Sequence, residues 1–332
     1  MAQVAPSTSF ERQIRSQPEE LTRILTSARV GEQLRVAAEG LHRARRIWIV
    51  GTGSSQHAAA LGAGMIQEAG RSAHAVSSMQ FVRWAPIVGP QDAVIVITHT
   101  AETAYAMAAR GLAANAGLNV VTITRIGAGL PTSIETVERE TSQTYTVSYT
   151  ATLLILAMLA AELGAESPTQ ERLALVPGAV RRAIESSGLE DVPAPQRLLV
   201  LTGSGPASVT AREGALKARE AARVPAEGFD AEYLLHGSAV PLTAQDRLIV
   251  LATPDPDGFD SALASAAAAE GIPVTRLEEQ IPLPPLLAQI PLTVRLQMLA
   301  LKMAAERGQN PDVVITGRWA DEALWAIGSP NT

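Results

Sequence analysis

The chain has 332 residues, the length of two ordinary domains. Its residues are 47% hydrophobic and 18% charged, a balance that builds large cores and argues against a disordered or fibrous chain. A net charge of −6, with no basic cluster beyond Arg43, Arg45 and Arg46, speaks against a nucleic-acid partner, and the lack of cysteine excludes disulfides and thiolate-held metal.

Residues 1–9 read as disordered. Apolar marks at Ile14, Leu21, Leu25 and Leu34 predict helix from Phe10 to Glu39, with a break near Gln17-Pro18, since proline removes a helical hydrogen bond. Arg46–Val50 is a short apolar run that enters Gly51-Thr52-Gly53-Ser54-Ser55, followed by a helix from Gln56 to Ala69. Asp92–Thr98 and Asn119–Thr124 are further buried strands, separated by a helix from Thr103 to Ala116. Near-continuous apolar strands alternating with helices predict a parallel sheet covered on both faces. The apolar run Ala151–Ala161 is too short to cross a bilayer and reads as a buried helix. The polar N-terminus shows no secretory leader, so a cytoplasmic chain without a membrane partner is expected.

The same series then recurs. Arg197-Leu-Leu-Val-Leu enters Thr202-Gly203-Ser204-Gly205, Asp246–Ala252 repeats Asp92–Thr98, and Gly271-Ile-Pro-Val repeats Gly117-Leu-Asn-Val, at offsets of 152, 154 and 154 residues. The fold class predicted is α/β: two doubly wound, flavodoxin-like parallel sheets related by internal duplication, plus an N-terminal helical segment. The predicted division is a helical segment 1–35, a first domain 36–186, a linker 187–196, a second domain 197–316 and a tail 317–332.

Parallel sheets bind ligands at the carboxyl ends of their strands. Two hydroxyl-rich loops stand there in the first half, Gly53-Ser54-Ser55 and Thr98-His99-Thr100-Ala101-Glu102-Thr103, each at a helix N-terminus suited to an anion. The alternative is that these hydroxyls are ordinary helix caps. In the second half Glu213, Lys217 and Glu220 fall at i, i+4 and i+7 and share one helix face. Pro225 stops that helix, and a second short helix carries Glu232, Leu234, Leu235 and His236 to Gly237. A solvated, salt-bridged helix would show the same spacing. The dinucleotide fingerprint lacks its third glycine, and no phosphate-binding G-x-x-x-x-G-K-[ST] or G-x-S-x-G elbow occurs. His42, His57, His74, His99 and His236 show no metal-ligand spacing, so neither metal nor cofactor is expected.

These residues resemble a known family. Glu213-Gly-Ala-Leu-Lys217-Ala-Arg-Glu220, then Pro225-Ala-Glu-Gly-Phe and Glu232-Tyr-Leu-Leu-His236-Gly237, are similar to the signature of double sugar isomerase (SIS) domain proteins, notably the isomerase half of glucosamine-6-phosphate synthase and related phosphosugar deaminases. The likeness covers about residues 36–316, and Thr98–Thr103 resembles the family's S-Q-S-G-E-T phosphate loop. It implies that Ser54, Ser55, Thr98, Thr100 and Thr103 hold a sugar phosphate, with Gly53, His99 and Glu102 in the pocket. It further implies Glu220 as the base moving a proton between C1 and C2, Glu213 and Lys217 in support, and His236 assisting ring opening from the partner subunit of a homodimer. The implied ligand is a hexose or hexosamine 6-phosphate. The implied activity is aldose–ketose isomerisation or deamination of the glucosamine-6-phosphate type, or alternatively phosphosugar binding for regulation without turnover. There are departures. The synthase's glutaminase half and its cysteine nucleophile are not seen. Tyr145-Thr146-Val147 stands where the family has S-T-K, Ser238 replaces a proline, and Thr316 stands where a tail lysine forms an imine, with Arg318 the nearest cation.

Overall fold

The computed structural model describes residues 7–327 except 85 and 253. The expectations for residues 1–6 and 328–332 lie outside the described residues.

Helix α1 (Ser9–Thr26) runs through Pro18, contrary to the predicted break. The reason is local: proline leaves the carbonyl four residues back without its donor, and the Gln17 side-chain amide donates to that Ile14 carbonyl at 3.0 Å. The break falls at Ser27 instead, whose hydroxyl accepts the Val30 N–H at 3.3 Å and caps α2 (Ala28–Leu41).

The chain forms two compact units. One comprises residues 19–139, 148–177 and 315–327, and holds a five-stranded sheet of β1 (Arg46–Gly51), β2 (Ala73–Ser77), β3 (Asp92–Ile97), β4 (Asn119–Thr124) and β5 (Ser133–Glu135). The other comprises residues 7–18, 140–147 and 178–314, and holds a four-stranded sheet of β6 (Leu199–Gly203), β7 (Ala226–Asp230), β8 (Arg247–Ala252) and β9 (Val274–Glu278). The strand orders are β2-β1-β3-β4-β5 and β7-β6-β8-β9, and every described pairing is parallel. This is the doubly wound order in which the chain reverses direction between β1 and β3, and again between β6 and β8. The central strand β3 is buried at all six positions, hence its unbroken apolar run.

The recurring segments take recurring structure. Arg46 at the head of β1 holds Asp92 at the head of β3 with two bonds of 3.1 and 2.8 Å. In the other unit Arg197 holds Asp246 in the same way, with Nε to Oδ1 at 2.8 Å. Gly53 opens α3 (Ser54–Gln67) at φ +56°, and Gly205 opens α8 (Pro206–Ala222) at φ +55°, a region that favours glycine. Further into the five-stranded unit come α4 (Ser78–Arg83), α5 (Ala104–Asn115) and α6 (Val147–Glu162). The run Ala151–Ala161 lies inside α6 and is buried there as predicted. Later elements are α7 (Gln170–Glu185), α9 (Ala231–Tyr233), α10 (Phe259–Ala269), α11 (Pro285–Glu306) and α12 (Glu322–Ala326). No described helix is long and apolar enough to cross a membrane.

Helix α8 lies unusually close to β7. A Cβ added at Gly228 would stand 2.4 Å from the Arg212 backbone nitrogen and 2.5 Å from the Ala211 carbonyl carbon. Backbone cannot swing aside as a side chain can. Gly228→Ala is therefore expected to push α8 off the strand and destabilise the unit by about 1–3 kcal/mol, read as a lowered urea midpoint. An unchanged midpoint would mean that α8 is not wedged against β7.

Candidate functional site

In the four-stranded unit, α8 carries Glu213, Lys217 and Glu220 on the face that turns inward. Lys217 and Glu213 side chains are 0% exposed and Glu220 21%. Lys217 Nζ donates to Glu220 Oε2 at 2.6 Å and stands 3.4 Å from Glu213 Oε1. The solvated helix is thereby ruled out, because solvated pairs keep their long side chains in water. Helix α8 also has small residues where it meets its neighbours. Gly214 faces Leu296 of α11 so closely that a Cβ would come within 2.4 Å of Leu296 Cδ1.

Burial depresses the proton affinity of the Lys217 amine, but the charges of Glu220, Glu213 and Glu140 outweigh it and the ammonium is held more firmly than usual. Burial raises the Glu220 carboxyl above its ordinary range, opposed by Lys217 and reinforced by Glu213. Glu140 went unnoticed in the sequence. It is buried, and its carboxylate accepts the Thr146 N–H at 3.0 Å and the Thr146 hydroxyl at 3.1 Å. The Gln13 amide, turned to suit its partners, donates to the same carboxylate at 3.1 Å.

His236 sits apart from this cluster's hydrogen bonds. It lies in a wide turn, Leu234–Ser238, that follows the single turn of α9 and closes at Gly237 with φ +112°. His236 is exposed, with Glu232 Oε1 at 3.9 Å from its Nε2.

In the five-stranded unit the two hydroxyl loops do stand at strand carboxyl ends. Neither Gly53 at the head of α3 nor Thr103 at the head of α5 caps its helix with a side chain. Ordinary capping therefore does not account for Thr103, and the first-turn N–H groups of α5 stay available to an anion, whereas in α3 the Ser55 and Gln56 N–H groups already donate to the Thr52 and Gly53 carbonyls at 3.1 and 2.9 Å. Thr98 is buried and its hydroxyl has no hydrogen-bond partner among the described residues. Thr100 Oγ1 accepts the Glu102 N–H at 3.2 Å, and Ala101 between them takes φ +60°, a strained value for a residue with a Cβ. Ser54 and Ser55 are half-buried in the first turn of α3. Glu102 is exposed and grips Arg139 through bonds of 2.6 and 2.8 Å, which hold its carboxyl below the usual range. His99 is pushed down to about 4 by burial, then by Arg125 and Arg139. Of the other histidines, His42 meets Arg71 at 2.7 Å, and the His74 ring packs on Trp48 at 5.1 Å.

Residues 40–162 match the family model described as SIS domain. The chain carries a SIS domain. It is 31% identical over 307 residues to the glutamine–fructose-6-phosphate aminotransferase (isomerizing) of Pyrococcus horikoshii, an alignment covering 83% of this chain and 51% of that protein. The corresponding enzyme of Chlorobaculum tepidum is 30% identical over 350 residues, covering 91% of this chain and 56% of that protein. The chain thus spans about half the length of the curated relatives it matches. In fold it resembles the tagatose-6-phosphate ketose/aldose isomerase of Escherichia coli, with a TM-score of 0.79, 21% identity, and coverage of 96% of this chain and 99% of that one. It also resembles a glucosamine-6-phosphate deaminase of Thermotoga maritima, with a TM-score of 0.77, 17% identity, and coverage of 94% and 99%.

Two expectations follow for this SIS-domain chain. Lys217→Met leaves Glu213 buried without its ammonium, so it should cost about 3–5 kcal/mol of stability, measured by denaturant titration; a loss below about 1 kcal/mol would show that the carboxylates find other partners. The second concerns His99. An unfolded imidazole takes its proton near 6.5, whereas folded His99 needs a pH of about 4. The unfolded state binds more protons between those values, so this contribution is complete above pH 6.5 and is lost as pH falls toward 4. Replacing His99 by Gln should flatten the fall in stability across that window by roughly 2–4 kcal/mol, seen in urea midpoints against pH.

Proposed function

We propose that this chain acts on a hexose or hexosamine 6-phosphate, as an aldose–ketose isomerase or a deaminase turning glucosamine 6-phosphate and water into fructose 6-phosphate and ammonia. The observation that carries this reading is the buried Glu213–Lys217–Glu220 set, with Glu220 at its solvent edge. Glu220 takes the C2 proton of the open-chain sugar and returns it to C1, a task that asks for a base poised near neutral pH. Burial raising Glu220 serves that purpose. Lys217 orients the carboxylate, and Glu213 keeps Lys217 charged. In deamination, water adds at C2 and ammonia leaves.

Ser54, Ser55, Thr98, Thr100 and Thr103 bind the phosphate in this reading, with Gly53, His99 and Glu102 around it. The uncapped start of α5 and the unpartnered Thr98 hydroxyl support that role. His236, exposed on its turn, assists ring opening in the neighbouring copy of a homodimer. One observation favours a second reading, a phosphosugar-binding regulator without turnover. At the tail position of the imine-forming lysine stands Thr316, and Arg318 beyond it cannot form a Schiff base.

Glu220→Gln decides between them. It preserves shape and removes the base, so turnover and C2 deuterium exchange should fall by about 10²–10⁴, while sugar-phosphate affinity changes little. In the parent protein the rate should decline on the acid side as Glu220 takes up its proton, at a pH above the usual carboxylate range. Parent protein that binds glucosamine 6-phosphate yet shows neither ammonia, ketose nor exchange is the regulator.

A further inference from the structure

The carboxyl edge of the five-stranded sheet carries two guanidiniums that the hydroxyl loops leave unexplained. Arg125 follows β4 directly, and its backbone N–H donates to the His99 carbonyl at 3.1 Å. The Thr124 hydroxyl donates to the same carbonyl at 3.2 Å, and the Thr98 N–H donates to Ile123 at 3.0 Å. The end of β4 is therefore laced to the Thr98–Thr103 loop, with Arg125 at the joint.

The two arginines differ in what neutralises them. Arg139 is gripped on both nitrogens by Glu102. Arg125 forms no direct ion pair among the described residues, although its charge reaches the Glu102 carboxylate that Arg139 holds: its Nη1 donates to the Ile126 carbonyl at 3.1 Å, and its Nε is buried with no hydrogen-bond partner. A guanidinium N–H withdrawn from water and left without an acceptor is costly, and a ligand oxygen would remove that cost. At the end of β3 the Thr98 hydroxyl is buried in the same unsatisfied state, and Thr103 leaves the head of α5 uncapped. The Arg125 Nε, the Thr98 hydroxyl and the first-turn N–H groups of α5 thus lack acceptors among the described residues, and the first of them bears a full charge. His99 contributes no charge here at neutral pH, since burial and the arginines keep it unprotonated down to about 4.

We infer that Arg125 makes a charged contact to the phosphate ester bound at the Thr98–Thr103 loop, and so selects the dianionic ester over the monoanion and over neutral sugars of the same shape. This rests on the phosphosugar reading above. Backbone N–H groups and hydroxyls meet a phosphate as dipoles, whereas a guanidinium brings a net charge whose attraction grows in step with the charge of the ester. A phosphate monoester takes its second charge near pH 6, well above the pH at which His99 titrates. Between pH 5 and 7.5 the charge of the ligand changes and that of His99 does not, so the pH dependence of binding reports on the contact itself.

The test is calorimetric titration of glucosamine 6-phosphate and of unphosphorylated glucosamine into the full chain, from pH 5 to 7.5 and at low and high salt. The parent protein should bind the ester more tightly as pH rises through 6 and less tightly in high salt. Arg125→Gln should weaken the ester by about 10- to 100-fold, flatten both dependences and leave glucosamine unchanged. Arg125→Lys should restore part of the affinity and the pH slope, which a merely structural arginine would not do. Folding is checked in the free protein, where removing the guanidinium should raise the His99 titration midpoint seen by NMR. If Arg125→Gln does not fold, the parent's own pH and salt dependence decides, and flat dependences overturn the inference. A folded Arg125→Gln that binds the ester as tightly as the parent, with the same pH slope, overturns it while leaving the phosphosugar reading intact. A parent protein that binds no hexose 6-phosphate or hexosamine 6-phosphate overturns that reading, and the inference with it.

Discussion

A lysine ammonium with no exposure to water is the constraint around which the four-stranded unit is built. Removing such a group from water is worth many kcal/mol against folding unless opposite charge meets it closely. Lys217 meets Glu220 at 2.6 Å and Glu213 at 3.4 Å, with Glu140 adding its field. Lys217, Glu213 and Glu220 all stand on α8, so their mutual distances belong to the helix, and its seating against its neighbours is what withdraws them from water. Gly228 lets the helix press on β7, and Gly214 lets α11 press on the helix. A larger side chain at either position would lift the helix and let water in beside the charges. The glycines of this segment thus belong to the electrostatics as much as to the packing.

The two units share a frame and differ in what they mount on it. Each has an Arg–Asp clamp across the heads of its two middle strands, and each opens its first sheet-following helix on a left-handed glycine. In the five-stranded unit the loop after β3 leaves donors without acceptors. In the four-stranded unit the equivalent edge is closed by an internal acid: Ser204 donates to buried Asp260 at 2.6 Å, and burial keeps that carboxyl above its usual range. The same scaffold therefore carries an anion-seeking edge in one unit and an edge already supplied with a carboxyl in the other.

Much of this was legible because it is local. The i, i+4, i+7 spacing put three ionisable groups on one face, and the unbroken apolar runs of β3 and β8 announced strands buried on both sides. What escaped was decided by contacts distant in sequence or by single side chains. The break predicted at Pro18 failed because the preceding glutamine supplied the missing donor. Strands β2 and β5 lie at the sheet edge, where β2 is mostly exposed or half-buried and β5 has only three residues, so neither shows a buried run. Helix α11 is not among the predicted elements, and it holds Pro285 and Pro291, a residue type that ordinarily interrupts helices; Pro285 takes the first helical position, where its missing N–H costs nothing. Arg125 could have been noticed, since it directly follows a strand at the sheet's ligand-facing edge. Glu140 could not, because nothing in its neighbourhood of the chain announces a buried lysine 77 residues on.

The members of the Lys217 cluster differ in how firmly each is held. Lys217 feels three carboxyls, Glu140, Glu213 and Glu220, in a place poor in water, and the charge of Arg219 also reaches Glu220. Glu140 is held by the Thr146 N–H and hydroxyl and by the Gln13 amide, and it is buried. Glu213 has no surface at all. Glu220 has one oxygen on Lys217, keeps part of its side chain in contact with solvent, and has a raised proton affinity. A group that changes its protonation during a reaction needs access, a partner that tolerates both states and an affinity close to the working pH. In this cluster access, a partner and a raised affinity meet at the residue nearest the end of the helix, which is what the proposed role of Glu220 rests on.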